Sequence, residues 1–372
     1  MLLDYTAALS QVSGVGRYTR SLVAALDRAR PPDVDLALWS ARVRPIRTQV
    51  LPRTVREVPI PERWLTVGWQ RLRLPLPVEV LAGRADVVHA PDFVAPPHRA
   101  PAVVTIHDLS YLVTPQFAYP NLRRYLATAV PRGLRGSTGI VAVSRATAED
   151  LTRFYDVDPA RVTVIPEGVD PAFRAPADEV VVTVLDTLGI RRPYFLIVGT
   201  IEPRKNHLGV LTAFEQLARA HADVSLVIVG RPGWMSSEIM AAIDSAASRL
   251  SVHHLGGIDD EQLAALYAGS VALVYPSWYE GFGLPVVEAM ACGTAVITSD
   301  RGSLAEVAGD DAVTVDPSSP ESIAAAMESV LDDSAFRQGL IARGIERAAT
   351  FNWDAAAAAH IDLYRRVVAA DG

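Results

Sequence analysis

The chain has 372 residues, half of them hydrophobic, which is enough for two domains with sizeable buried cores. Its single cysteine, Cys292, excludes an intramolecular disulfide and suits a reducing cytoplasm. The net charge of −7 is uneven: residues 1–172 carry 21 Arg against 16 Asp and Glu, a balance of +5, and the rest carry 14 basic against 26 acidic side chains, −12. A basic half beside an acidic half fits an anionic partner for the first, or drift in surface composition.

The chain opens on "MLLDYTAALS", a short apolar strand with no basic n-region before a long apolar core, so no signal peptide is expected. "SQVSGVGRYTRS" is a glycine-bearing loop opening a helix, and it holds Gly14, Gly16 and Arg17. Residues 42–73 stand apart with eight Arg, two Glu, four Pro, Trp64 and Trp69. Within them "RWLTVGWQRLRL" reads either as a basic amphipathic helix on an anionic membrane or as a surface helix burying two tryptophans. No zinc spacing or RNA-binding signature accompanies this charge, so no nucleic-acid partner is expected.

"ADVVHA", "AVVTIHD", "GIVAVS" and "VTVIPEGVD" follow as strands. His107 and Asp108 end the second of these, and Ser144 ends the third where a helix begins. "DPAFRAPADE" is rich in Pro and Asp and without periodicity, so the domain joint is expected within 171–192. "YFLIVGT", "VSLVIVG", "VALVYPS" and "TAVITSD" read as strands of the second half, with "NHLGVLTAFEQLARAHA" and "DDEQLAALYAGS" as helices between them. The longest uncharged run, 262–279, is broken by Gly269 and Pro276, so it reads as a helix end and a buried strand, not a membrane span. Continuous Val, Ile and Leu runs alternating with helices indicate two doubly wound parallel sheets, which bind ligands at the carboxyl ends of their strands. The expected domains are 1–175 and 190–352, followed by a C-terminal helix, 353–372.

The most specific motif is "YPSWYEGFGLPVVEAMACGTAVI". Glu280 and Glu288 form a Glu-x7-Glu pair. Tyr275 ends a strand, 276–283 is a loop, and Pro285 suits the first turn of a helix. Both carboxylates are then expected at one pocket beside the helix start. There Gly281 and Gly283 let backbone N–H groups approach a ligand, and the helix dipole favours anions. A carboxylate accepts two hydrogen bonds, which suits vicinal sugar hydroxyls. Cys292, in the same block, reads as a packed small residue. The D-x-D strings at Asp33 and Asp35 and at Asp156 and Asp158 sit in loops, and no metal is expected.

This block resembles the donor site of family 4 retaining glycosyltransferases of the GT-B fold. "SGVGRYTRSL", "TIHDLSYL", "VAVSRATAEDL", "VIPEGVDPAF", "VGTIEPRKNH", "LVIVGRPG" and "HHLGGIDDEQLAALYAGS" fall in that family's order and rough spacing, over nearly the whole chain. "GVGRY", "HDL" and "EPRKN" look most like its bacterial mannosyltransferase branch. The resemblance implies an α/β fold of two Rossmann-like domains with a cleft between them, the first for the acceptor and the second for a nucleoside diphosphate sugar. The C-terminal helix would cross back to the first domain.

It also implies roles. Lys205, the only lysine in the chain, and Arg204 would hold the diphosphate and neutralise the leaving group. Many relatives have an arginine directly after the glycine, where Thr200 stands here, and Arg204 is inferred to take that role. Glu280 would hold hydroxyls of the donor sugar, assisted by Gly281 and by the N–H groups of Phe282, Gly283 and Leu284, and Glu288 would hold the ribose. Gly14 and Gly16 would face the donor phosphates, and Arg17, His107, Asp108 and Ser144 the acceptor, with His107 beside the transferred sugar. The base would be read by backbone near Gly256, Gly257 and Val274. No further cofactor is implied. The acceptor would be a glycan, a lipid-linked sugar or a small molecule. Rival readings are a sugar-nucleotide epimerase on the same fold and a non-catalytic sugar-nucleotide binding protein.

Overall fold

The apolar runs become two all-parallel sheets. The computed structural model describes residues 1–11, 14–44 and 54–371. The first sheet contains β1 (Leu2–Asp4), β2 (Ala37–Arg42), β3 (Val55–Pro61), β4 (Val88–Ala90), β5 (Ala102–Ile106), β6 (Gly139–Ala142) and β7 (Val162–Val164), in the order β3-β2-β1-β4-β5-β6-β7. The second contains β8 (Tyr194–Val198), β9 (Ser225–Val229), β10 (Val252–His254), β11 (Ala272–Tyr275), β12 (Ala295–Ser299) and β13 (Val313–Val315), in the order β10-β9-β8-β11-β12-β13. In the second sheet the order reverses between β8 and β11, so the loops leaving those two strands become neighbours at a topological switch point. The sequence reading did not identify β2, β3, β10 and β13; of these β3, β10 and β13 lack a continuous apolar run.

The chain forms two compact units. One comprises Met1–Leu112, Pro120–Gly168 and Asn352–Gly372, the other Val113–Tyr119 and Val169–Phe351. The core of the first includes Leu2, Trp39, Val58, Leu65 and Val88. Helix Trp353–Asp371 packs on helix Val15–Ala29 in that unit, where Trp353 meets Tyr18 edge-on at 5.6 Å. Asn352 starts the C-terminal helix, its Oδ1 accepting from Asp354 N at 2.7 Å. The core of the second unit gathers Phe195, Ile197, Leu226, Ile228, Val274 and Ile297 from one face of its sheet, with Phe214 from the helix His207–Leu217.

Two expectations need correction. The stretch read as a joint, 171–192, contains the helix Asp178–Leu188, which belongs to the second unit. Only Val181 and Leu185 are buried along it, a stripe too narrow to stand out in a run rich in valine. The helix expected over 63–74 buries only one of its two tryptophans. It is a short helix, Glu62–Thr66, running into a π-helical turn, Val67–Arg71. Trp69 is half-buried against Trp39, its Nε1 donating to Leu76 O at 2.9 Å, whereas Trp64 stays 58% exposed. Residues 45–53 of the basic stretch lie outside the described residues, as do Val12 and Ser13 of the glycine loop.

Candidate active site

Beyond β8 the chain enters a 3-10 turn, Pro203–Lys205, closed by Asn206 in the left-handed region at φ 60°. The buried Asn206 Nδ2 donates to Pro276 O at 3.2 Å and to Pro317 O at 2.8 Å. Trp278 N donates to Arg204 O at 2.9 Å. These bonds fasten the loop after β8 to the loop after β11 and bring Arg204 and Lys205 to Glu280.

Glu280 receives both cations. Arg204 Nη1 donates to its Oε2 at 2.8 Å and Lys205 Nζ to its Oε1 at 2.7 Å. Arg204 Nη2 reaches back to Glu202 Oε1 at 2.7 Å. Lys205 Nζ also donates to the Tyr275 hydroxyl, which itself donates to Glu280 Oε1 at 3.0 Å. The side chains of Arg204 and Lys205 are each 12% exposed, and those of Glu280 and Glu202 less. Two half-buried cations and two buried carboxylates thus form a neutral cluster at the carboxyl ends of β8 and β11. Burial alone would raise the Glu280 carboxyl; the charges of Arg204 and then Lys205, with their hydrogen bonds, overcome it and hold the group at about 2. At Glu202 burial outweighs the same two cations, and the charge of Glu280 adds to it, so that carboxyl is raised. Burial and then the Glu280 charge push Tyr275 well above the ordinary phenol range, so its hydroxyl stays neutral.

The helix Leu284–Ala291 begins as the sequence predicts. Gly283 precedes it at φ 101°, a conformation open to glycine, and Pro285 lies in its first turn. A Cβ at Gly283 would also meet Leu304 Cδ2 at 2.8 Å. Ser303 braces this loop: its Oγ donates to Glu280 O at 3.0 Å and to Phe282 O at 2.8 Å. Phe282 packs edge-on against Phe351 at 5.5 Å. Gly281 lies buried between Glu280 and Phe282, and Leu284 is half-buried at the first helical position. Glu288 is buried one turn into the helix and accepts from Tyr267 Oη at 3.1 Å, so its neighbour is a tyrosine on helix Asp260–Gly269. Farther along the edge, Gly230 N donates to Gly256 O at 2.8 Å, Gly257 crowds Arg231, and Val274 is buried within β11. Cys292 is buried, and burial with the nearby Glu288 charge pushes its thiol up to about 12.

The first unit holds its own row of strand-end groups. His107 is buried at the end of β5. Asp108 Oδ1 accepts from Ser110 N at 2.8 Å and starts the next turn. Ser144 is fully buried and caps helix Arg145–Tyr155, accepting from Thr147 N at 3.0 Å. Gly14 is the exposed N-cap of helix Val15–Ala29, with Arg17 half-buried in the first turn. A Cβ at Gly16 would lie 2.2 Å from Gln11 O and 2.8 Å from Ala7 O, so close packing on the preceding turn accounts for that glycine. Of the D-x-D aspartates, Asp33 pairs with Arg365 at 2.9 Å, Asp158 caps the turn Pro159–Arg161, and Asp156 is the C-cap of helix Arg145–Tyr155.

Comparison with known proteins agrees with this arrangement. The profile "Glycosyltransferase Family 4" matches residues 12–173, and "Glycosyl transferases group 1" matches 188–347. O-antigen chain mannosyltransferase B of Escherichia coli is 32% identical over 283 residues, covering 75% of this chain and 74% of that protein. The chain is a family 4 glycosyltransferase. Sucrose-phosphate synthase from Thermosynechococcus elongatus superposes with a TM-score of 0.78 at 23% identity, covering 99% of each chain. HepE from Anabaena, solved with UDP and glucose, has a TM-score of 0.75 at 18% identity, covering 97% of this chain and 98% of that one. The fold is therefore the two-domain GT-B fold.

In this glycosyltransferase the structure unites Arg204, Lys205 and Glu280, and it gives Glu288 a separate immediate partner. Sequence reasoning missed Glu202, Tyr275, Ser303 and, in the first unit, Glu167. Glu202 had a signal, an acid directly before the Pro-Arg-Lys string. Ser303 had none, because its role depends on a loop more than twenty residues upstream.

Proposed function

We propose that this glycosyltransferase moves a hexose, mannose by preference, from a nucleoside diphosphate sugar to a glycan, lipid-linked or small-molecule acceptor. The donor proposed first is GDP-mannose, and the reaction retains the anomeric configuration without a metal ion. The observation that carries the reading is the Lys205–Arg204–Glu280 cluster at the switch point of the second sheet. Two adjacent half-buried cations suit a diphosphate, and a carboxylate held ionised suits the hydroxyls of a hexose. The E. coli relative bears the name mannosyltransferase, and HepE was solved with UDP and glucose, in keeping with a nucleotide-sugar donor.

In the proposed reaction the bond between the anomeric carbon and the β-phosphate oxygen breaks. The acceptor oxygen bonds to that carbon on the same face, and its proton passes to the leaving phosphate, whose charge Lys205 and Arg204 offset. No enzymic nucleophile is assigned. Glu288 would hold the ribose, and His107, Asp108 and Arg17 would line the acceptor side. The working location is the cytoplasm, with contact to an anionic membrane through the basic stretch 42–73. Trp64, Leu72 and Leu74 are exposed beside Arg71 and Arg73 there, and among the described residues no helix is long and apolar enough to cross a membrane.

A thermal-shift screen against UDP, GDP, ADP and their sugars tests the donor, since a selective ligand raises apparent stability. NMR of the product's anomeric proton tests retention, and an unchanged rate in EDTA tests metal independence. A new epimer formed from labelled donor without acceptor would favour the epimerase reading. Binding without single-turnover transfer would favour a non-catalytic protein.

A further inference from the structure

The carboxyl edge of the first sheet holds a buried histidine–glutamate pair. His107 follows β5 and Glu167 follows β7, and they are 9% and 5% exposed. Both imidazole nitrogens face oxygen atoms: Nε2 lies 2.8 Å from Pro91 O, and Nδ1 lies 3.4 Å from Glu167 Oε1. A carbonyl oxygen can only accept. A neutral imidazole has one N–H, and once that proton serves Pro91 the lone pair on Nδ1 points at a carboxylate. A proton on each nitrogen removes the conflict and gives the buried carboxylate its counter-charge.

The ring has little freedom to escape this arrangement. Tyr18 meets it edge-on at 4.7 Å, and Phe93 lies 5.6 Å away. The Tyr18 hydroxyl is engaged elsewhere, with Thr105 at 3.3 Å and His360 at 3.1 Å. Thr147 Oγ1 donates to the His107 carbonyl at 3.2 Å, fixing the backbone.

We propose that Glu167 is a positioning residue of this glycosyltransferase: it keeps a proton on His107 Nδ1, so that His107 serves as a fixed imidazolium and not as a base. This deepens the proposed function and rests on it. An imidazolium cannot take the acceptor's proton, in keeping with the proposed transfer of that proton to the leaving phosphate. The titratable groups acting on the ring are Glu167, Asp92, Tyr18 and His89. Burial alone would remove the His107 proton; the hydrogen bond and charge of Glu167, then the Pro91 carbonyl and Asp92, outweigh it and raise the group above its ordinary value. His89 is held well below the ordinary range by burial first and then by the charges of His360 and His107, so it contributes no competing cation. Tyr18 is pushed up by burial and stays neutral.

The test uses the full chain and Glu167→Gln, which preserves shape and removes charge. Nitrogen-15 NMR of histidine-labelled, ligand-free protein reads the protonation of His107 without reference to activity. The expected result is a doubly protonated ring at neutral pH in the wild type, and a titration midpoint lower by about 1–3 pH units in Glu167→Gln. Because the charged form exists below the midpoint, transfer that needs the cation is lost as pH rises through it. The alkaline limb of kcat/KM therefore moves down by a similar amount in the variant. In a His107→Gln background, adding Glu167→Gln causes no further loss. A neutral wild-type ring at pH 7, an unmoved alkaline limb, or additive losses in the double variant would each overturn the proposal. The NMR result decides the protonated pair by itself, whereas a wild type without transfer from any nucleoside diphosphate sugar overturns the proposed function.

Discussion

Replacing Lys205 with methionine keeps most of the stem and removes the ammonium. In the native cluster Glu202 and Glu280 balance Arg204 and Lys205, and all four side chains are 12% exposed or less. The variant leaves this buried group with one net negative charge. Breaking a buried pair by removing one partner costs about 3–5 kcal/mol, because the remaining charge is left uncompensated. Part of that cost falls on the fold. The rest falls on diphosphate binding, since an incoming anion meets a site that repels it. If roughly 3 kcal/mol reaches binding, the Kd for GDP or UDP rises about 100-fold, at 1.4 kcal/mol per tenfold. Isothermal titration of nucleoside diphosphates into wild type and Lys205→Met measures this directly, with thermal melts reporting the fold. Near-native affinity in a folded Lys205→Met protein would refute the assignment of the diphosphate to this cluster.

The opposite change should have the opposite sign: Glu280→Gln frees a cation, so GDP or UDP binds about tenfold tighter while transfer falls sharply, as titration and initial rates would show. Stability should also follow Glu280 with pH. Its carboxyl is held at about 2, down from 4.5, so its contribution of roughly 3 kcal/mol is full above the unfolded value and is lost as pH falls from about 4.5 toward 2. Denaturant melts between pH 6 and 2.5 should show this slope in the wild type and a flatter one in Glu280→Gln. Gly283→Ala forces a side chain into φ 101° against Leu304 and should destabilise the protein by about 1–3 kcal/mol, with a matching loss of donor affinity. An unchanged melting temperature would show that the loop adjusts freely. Tyr267→Phe removes the donor to Glu288, and donor-sugar affinity should fall by about 1.5–3 kcal/mol, with the melting temperature reporting any structural share.

Local chemistry was enough to reveal much of this protein. Continuous Val, Ile and Leu runs are legible as buried parallel strands because both faces of such strands are covered. Gly283 and Pro285 mark a helix start because backbone sterics allow little else. The lone lysine and the spaced glutamates announce a polar site by their residue types. What the sequence could not express was partnership. Glu280 meets Lys205, 75 residues earlier, only because strand order reverses between β8 and β11. His107 meets Glu167 across 60 residues because the carboxyl ends of β5 and β7 lie along one sheet edge. The same limit hid the brace supplied by Ser303. Hydrogen bonds and Coulomb forces act over a few ångströms, and which distant residues come that close is decided by the topology of the folded sheets.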